Sequence, residues 1–289
     1  MLGMSGLGGS DFPVLKGPYL GQAPPGTTPA IFAPGVVSTE AHEFSCCFSP
    51  AGNEFYFARR DPEFRRPVIL MTKLVDGAWT PPEVAPFSAR HRCFEPRVTP
   101  RGDRLYFTSD RTLPGGGPPM NIWYVPRQKD GWGEPQNPGD PFNPMKTMYI
   151  SATTDGTIYT MDISAGLGRE SIVVIRPEEE GYGPAEKLPA PINTGKRNTY
   201  PFITPDGNCL LFCSEGVEGA AGSFLFVSFR GEDGTWEKPQ PVDVGMEVGL
   251  PLLSPDGTYL FFTAGERGKS DIYWVDAAVI GKPLPEGNK

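Results

Sequence analysis

The chain has 289 residues, 38% hydrophobic and 11% aromatic, enough for one sizeable core or two smaller ones. Its net charge of −8 excludes a general nucleic-acid binder, which needs a basic surface. No apolar run approaches the length that spans a bilayer, so a membrane partner is not expected either.

In chain order, residues 1–28 are rich in Gly and Pro and read as an N-terminal arm. Met1 to Ser10 offer neither a basic segment nor an apolar run, so no signal peptide is expected. The expected compartment is the cytoplasm, with a secreted or periplasmic origin after signal removal as the alternative. The five cysteines (Cys46, Cys47, Cys93, Cys209, Cys213) are odd in number and lack metal-like spacing, so reduced thiols are expected.

Ile31-Phe32 then makes a short strand, and after it one phrase recurs. Ser49-Pro50-Ala51-Gly52 leads into Phe55-Tyr56-Phe57, and Thr99-Pro100-Arg101-Gly102 into Leu105-Tyr106-Phe107. Thr204-Pro205-Asp206-Gly207 leads into Leu210-Leu211-Phe212, and Ser254-Pro255-Asp256-Gly257 into Leu260-Phe261-Phe262. The third copy, Thr154-Asp155-Gly156 before Ile158-Tyr159, has Thr154 where proline stands elsewhere. Proline suits the first central position of a turn, and glycine tolerates the positive φ that ends one. The turn glycines fall at 52, 102, 156, 207 and 257, at intervals of 50, 54, 51 and 50 residues. Such a period means stacked or radially arranged units.

Each unit shows four strand signals. In the second they are Phe94 to Val98, Leu105 to Thr108, Asn121 to Val125 and a weak strand near Pro135 to Asn137. A second turn, acidic residue then glycine, follows the third strand at Asp76-Gly77, Asp130-Gly131, Glu180-Gly181 and Asp233-Gly234. An aromatic residue then covers each hairpin: Trp79, Trp132, Tyr182 and Trp236. Glu83-Val84, Glu186-Lys187 and Gln240-Pro241 precede the next unit as Ile31-Phe32 precedes the first. The last unit stops after Asp271-Ile272-Tyr273-Trp274-Val275, without that turn or a fourth strand. Ile31-Phe32 is therefore read as its missing strand, because pairing the two ends removes the open sheet edges. The expectation is an all-β, five-bladed β-propeller of four-stranded antiparallel blades over residues 29–280, with a tail at 281–289. A monomer is expected.

The Ser/Thr-Pro-Asp-Gly turn before an aromatic strand, with Asp-Ile-Tyr-Trp later in the unit, resembles the WD40-like (TolB-type, PD40) β-propeller repeat. The resemblance covers residues 29 to about 280 and implies the fold. It implies no particular activity, since propellers host enzymes, binders and scaffolds alike.

Strand order puts the Pro-Asp-Gly turns on one face, here the turn face, which collects acids. The opposite face collects Arg59, Arg60, Arg65, Arg66, Arg90, Arg92, Arg111, Lys146, Lys196, Arg197, Arg267 and Lys269. Aligned on the turn glycines, His42, Arg92, Lys146, Arg197 and Glu247 share one position at the mouth of the channel. A basic ring on an acidic protein would focus potential on an anion. The Gly-rich stretch between Pro114 and Pro118 reads as a loop over that mouth.

Strict alternation along the inner strands puts Glu43, Glu95, Arg97, Tyr149, Ser151, Asn198 and Tyr200 on one polar set, opposed by Val248, Leu250 and Leu252. The expected function is binding of a small or oligomeric anionic ligand, a carboxylated saccharide being one class, at the basic mouth. Its expected contacts are His42, Arg60, Arg92, Arg97, Arg111, Lys146, Tyr149, Arg197, Asn198 and Tyr200. One alternative is a glycoside hydrolase or lyase using Glu43 and Glu95 as facing carboxylates. Another is a protein-interaction scaffold. No cofactor is evident; with only His42 and His91, a histidine-rich metal site is not expected, and a channel-bound Ca or Mg ion would need Asp, Glu and carbonyl ligands.

Overall fold

The five recurring turns are each held by a polar side chain of their own. Asp206 and Asp256 accept from the hydroxyls of Thr204 and Ser254 at 2.5 and 2.6 Å, and from the backbone N–H two residues on. Asp155 does the same from Thr153 and Thr157, so the third unit keeps its turn without the proline. Where Ala51 and Arg101 replace the aspartate, Ser49 and Thr99 donate instead to Asn53 and Asp103, just past the glycine. All five glycines are left-handed, with φ between 68° and 95°.

A computed structural model describes residues 12–61, 66–113, 115–117, 120–217, 224–266 and 268–282. It contains five antiparallel sheets, one per unit, arranged as a five-bladed β-propeller. From the channel outward, blade one runs His42–Phe48, Glu54–Asp61 and Arg66–Val75. Two short segments, Ala78–Trp79 and Glu83–Val84, pair with its third strand. Blade two comprises Cys93–Val98, Arg104–Ser109, Asn121–Gln128 and Gly131–Trp132; blade three comprises Thr147–Ala152, Ile158–Asp162, Ser171–Ile175 and Glu186–Lys187. Blade four comprises Arg197–Ile203, Cys209–Glu215, Leu225–Phe229 and Gln240–Pro241. In blade two, the strand expected near Pro135 to Asn137 shrinks to one bridge, Gln136 to Tyr124, because Pro135 and Pro138 on either side lack an N–H.

Blade five takes Val248–Leu253, Tyr259–Glu266 and Lys269–Asp276 from the C-terminal part and its fourth strand, Ala30–Ile31, from the N-terminal part. Ala30 lies opposite Trp274 and Ile31 opposite Tyr273, and the Phe32 N–H donates to the Ile272 carbonyl at 2.8 Å. The ladder thus begins one residue earlier than the sequence suggests. Phe32 is fully buried, its ring 5.1 to 6.3 Å from those of Phe48, Phe55, Phe261 and Trp274. One aromatic cluster therefore clamps blade five to blade one.

The apolar cores lie between adjacent blades. The described part of the arm is strapped onto the turn face. Trp79 donates from N and Nε1 to the carbonyls of Leu15 and Gly17, and the Tyr19 ring meets Phe48, Tyr259, Phe261 and Trp274. The five cysteines are buried and unbridged. No helix among the described residues is long and apolar enough to cross a membrane. Arg65, Pro114, Pro118 and Arg267 lie outside the described residues.

Candidate functional site

Five inner strands line the channel, and each carries one extra residue. Cross-strand pairing is interrupted between Phe44 and Cys46, Phe94 and Arg97, Met148 and Ile150, Thr199 and Phe202, and Gly249 and Leu252. Within each gap one residue is left-handed: Ser45, Glu95, Tyr149, Tyr200 and Leu250, with φ of 46°, 58°, 60°, 53° and 56°. All five sit seven positions before their turn glycine. For a residue with a Cβ, that backbone costs roughly 1–2 kcal/mol.

A bulge breaks the period of two, so residues before it and after it do not share a face. That corrects the single polar set. Glu43 lies before the bulge and is fully buried; the Arg59 Nε donates to its Oε1 at 2.7 Å and the Thr39 hydroxyl at 2.6 Å. The Thr39 N–H reaches its Oε2 at 3.2 Å. Asn198, also before the bulge, accepts from Ser214 and donates to the Gly195 carbonyl. Glu43 and Glu95 share no partner, so the expected facing pair resolves into two separate environments.

Glu95 sits at the bulge itself. Its Oε2 accepts from the Thr108 hydroxyl at 2.7 Å and from the Tyr149 N–H of the next blade at 3.0 Å. Burial pushes its carboxyl up to about 7, against the opposing pull of those two donors and of the Arg97 charge. Arg97 donates from Nη2 to the Tyr149 hydroxyl, which in turn donates to the Pro251 carbonyl of blade five at 2.7 Å. The Tyr200 ring meets Tyr149 edge-on at 5.7 Å. Four expected site residues, Glu95, Arg97, Tyr149 and Tyr200, are thus brought together as a crossbar joining blades two, three, four and five.

A cavity lies on either side. Toward the basic mouth, a pocket of about 340 Å³ is lined by His42, Phe44, Arg197, Tyr200, Glu247 and Leu250 among others. On the turn face, a funnel of about 240 Å³ has apolar walls and Arg97 in its floor. No residue lines both, and neither reaches Tyr149. Sequence reasoning missed the funnel, because its walls read as ordinary core strand.

The basic ring is weaker than its residue types suggest. His42 accepts at Nδ1 from the Ser270 N–H at 3.1 Å, which assigns its proton to Nε2. Burial, then the Arg60 charge, lower its pKa, so it contributes no cation at neutral pH. Arg197 pairs with Glu215 at 3.1 Å and lies 3.5 Å from the buried Glu170 carboxylate. Arg111 is absorbed into packing: it donates to Ser109 and the Phe87 carbonyl and lies over the Phe107 and Trp123 rings. Arg60, Arg92 and Lys146 remain exposed, and none forms an ion pair with a described residue. Among the described residues no group of three or more His, Cys, Asp or Glu side chains could hold a metal ion.

No protein-family model and no curated protein matches the chain by sequence. Solved structures do resemble it. TolB from Acinetobacter baumannii superposes with a TM-score of 0.53 at 17% identity, over 85% of this chain and 54% of TolB. The chain thus spans about half the length of that protein. A thermostable family-43 glycoside hydrolase gives 0.55 at 14% identity, over 88% of this chain and 99% of the hydrolase. A glucose dehydrogenase gives 0.50 at 13% identity, over 86% and 99% of the two chains. At these identities the likeness is one of fold.

Proposed function

We propose that the chain is a ligand-binding propeller that takes a small or oligomeric anion, a carboxylated saccharide being the class to try first, in the pocket at the basic mouth. The observation that carries the reading is Arg197 in the wall of a 340 Å³ pocket, beside the Phe44 and Tyr200 rings. That volume is within the range of about 300–1,000 Å³ usual for small-molecule sites. Aromatic faces suit the apolar side of a sugar, while Arg197 suits its acid group. Exposed Arg92 and Lys146, at the equivalent position of blades two and three, add long-range attraction. Sugar-directed enzymes among the structures of this fold make a sugar acid a reasonable first probe.

Isothermal titration with galacturonate, oligogalacturonides and galactose tests this. The acids are expected to bind at least about tenfold more tightly than galactose, with the difference shrinking as salt rises. Arg197→Gln is expected to erase that preference. Equal binding of galactose and galacturonate, or no response to any acid, sinks the reading.

A hydrolytic role has one feature in its favour: burial pushes the Glu95 carboxyl up to about 7, as suits a proton donor. Against it, both Glu43 oxygens are already engaged by Thr39 and Arg59. Activity on a glycan panel that disappears in Glu95→Gln would restore it.

A further inference from the structure

The funnel on the turn face shares no residue with the pocket just described, and its chemistry differs. All five blades contribute to it, with walls such as Phe48, Val98, Ile203, Leu252 and Leu253. One charged group enters its floor: Arg97, only 6% exposed. The guanidinium lies over the Tyr149 and Phe202 rings at 5.1 and 5.5 Å. Nη2 donates to the Tyr149 hydroxyl, while the Nε–H is buried with no partner among the described residues. Glu95, the acid whose charge Arg97 feels, directs its Oε2 to Thr108 and the Tyr149 N–H instead. No described carboxylate pairs with Arg97 within 4.0 Å.

A cation buried without a counter-anion destabilises the fold, and the funnel, which Arg97 lines, gives an anion a route to it. We propose that the funnel binds a small organic monoanion with an apolar body, an aryl or short-alkyl monocarboxylate. The carboxylate pairs with Arg97, and the body packs on the aliphatic and aromatic walls. Asp206 lines the outer part of the cavity, with Asp155 and Asp256 in the neighbouring turns. A second negative charge at the outer end would meet these acids, which selects for a single acid group. A volume of about 240 Å³ limits the ligand to a small one.

Titration calorimetry and thermal shift on the full chain with benzoate, terephthalate and benzyl alcohol provide the test. Benzoate is expected to bind saturably and raise the melting temperature. Benzyl alcohol lacks the charge and terephthalate carries a second one at its far end, so each should bind at least about tenfold more weakly. Arg97→Met should weaken benzoate by a similar factor. So should Thr154→Trp, which places a bulky ring at an exposed rim position; it decides the matter should the Arg97 variant not fold. Failure of benzoate to saturate, equal binding of benzyl alcohol, or unchanged benzoate affinity in Thr154→Trp overturns the proposal. Equal binding of terephthalate overturns the single-charge assignment.

Discussion

Glu95→Gln gives the sharpest stability prediction. Burial drives the Glu95 carboxyl from its ordinary value of 4.5 up to about 7, although two donors and Arg97 pull the other way. A carboxyl whose folded value exceeds its unfolded one binds its proton more tightly when folded. Its stabilising share is complete below the unfolded value and is lost as pH rises through the folded one. Each tenfold change in proton affinity is worth about 1.4 kcal/mol, so the loss between about pH 4.5 and 7.5 is about 3 kcal/mol. A glutamine side chain here would offer its carbonyl oxygen to both Thr108 and the Tyr149 N–H, keeping the two hydrogen bonds without the charge. The variant should therefore match wild type near pH 4 and exceed it by up to about 3 kcal/mol near pH 8. Urea unfolding at half-unit pH intervals measures the difference curve, in which every other titrating group cancels to first order. A flat difference curve, or a variant less stable than wild type at pH 8, refutes the reasoning.

Ser45→Gly should stabilise the protein by about 1 kcal/mol in chemical denaturation. It relieves a left-handed backbone and removes a buried hydroxyl that has no partner, outweighing the glycine's extra chain entropy. Phe32→Ala should cost about 3–5 kcal/mol, because it empties the aromatic cluster that closes the ring; a loss under about 1 kcal/mol in the same assay would contradict that closure. Arg127→Ala removes the partner that grips the Glu54 carboxylate at 2.5 and 3.1 Å between blades one and two. Burial alone would raise the Glu54 value, yet Arg127, Tyr56 and Lys73 hold it below the ordinary one. Wild type should therefore lose that stabilisation as pH falls below about 4.3, and the variant should show no such loss in acid unfolding.

The fold was legible because its turns are chemical signatures repeated at a fixed interval, and because Ile31-Phe32 and Asp271 to Val275 are complementary remnants of one blade. The arrangement around the channel was only half legible. Alternation singled out Glu95, Arg97, Tyr149 and Tyr200, which the structure brings together, yet it also put Glu43 and Asn198 on their face, since it assumes an unbroken ladder. The break had a visible sign: Pro96, Pro201 and Pro251 interrupt three inner strands where a ladder N–H would be needed. The basic ring was overcounted for another reason. Arg197 meets Glu170 and Glu215, and Arg111 meets the Phe87 carbonyl, across distances in sequence that no local pattern reveals.

The measurement that bears most directly on the account is a crystal structure of the protein soaked with galacturonate. The account predicts the sugar in the pocket between His42, Arg197 and Tyr200, its carboxylate within hydrogen-bonding distance of the Arg197 guanidinium. Galacturonate bound elsewhere with that pocket empty, or seated there with its carboxylate turned away from Arg197, would contradict it.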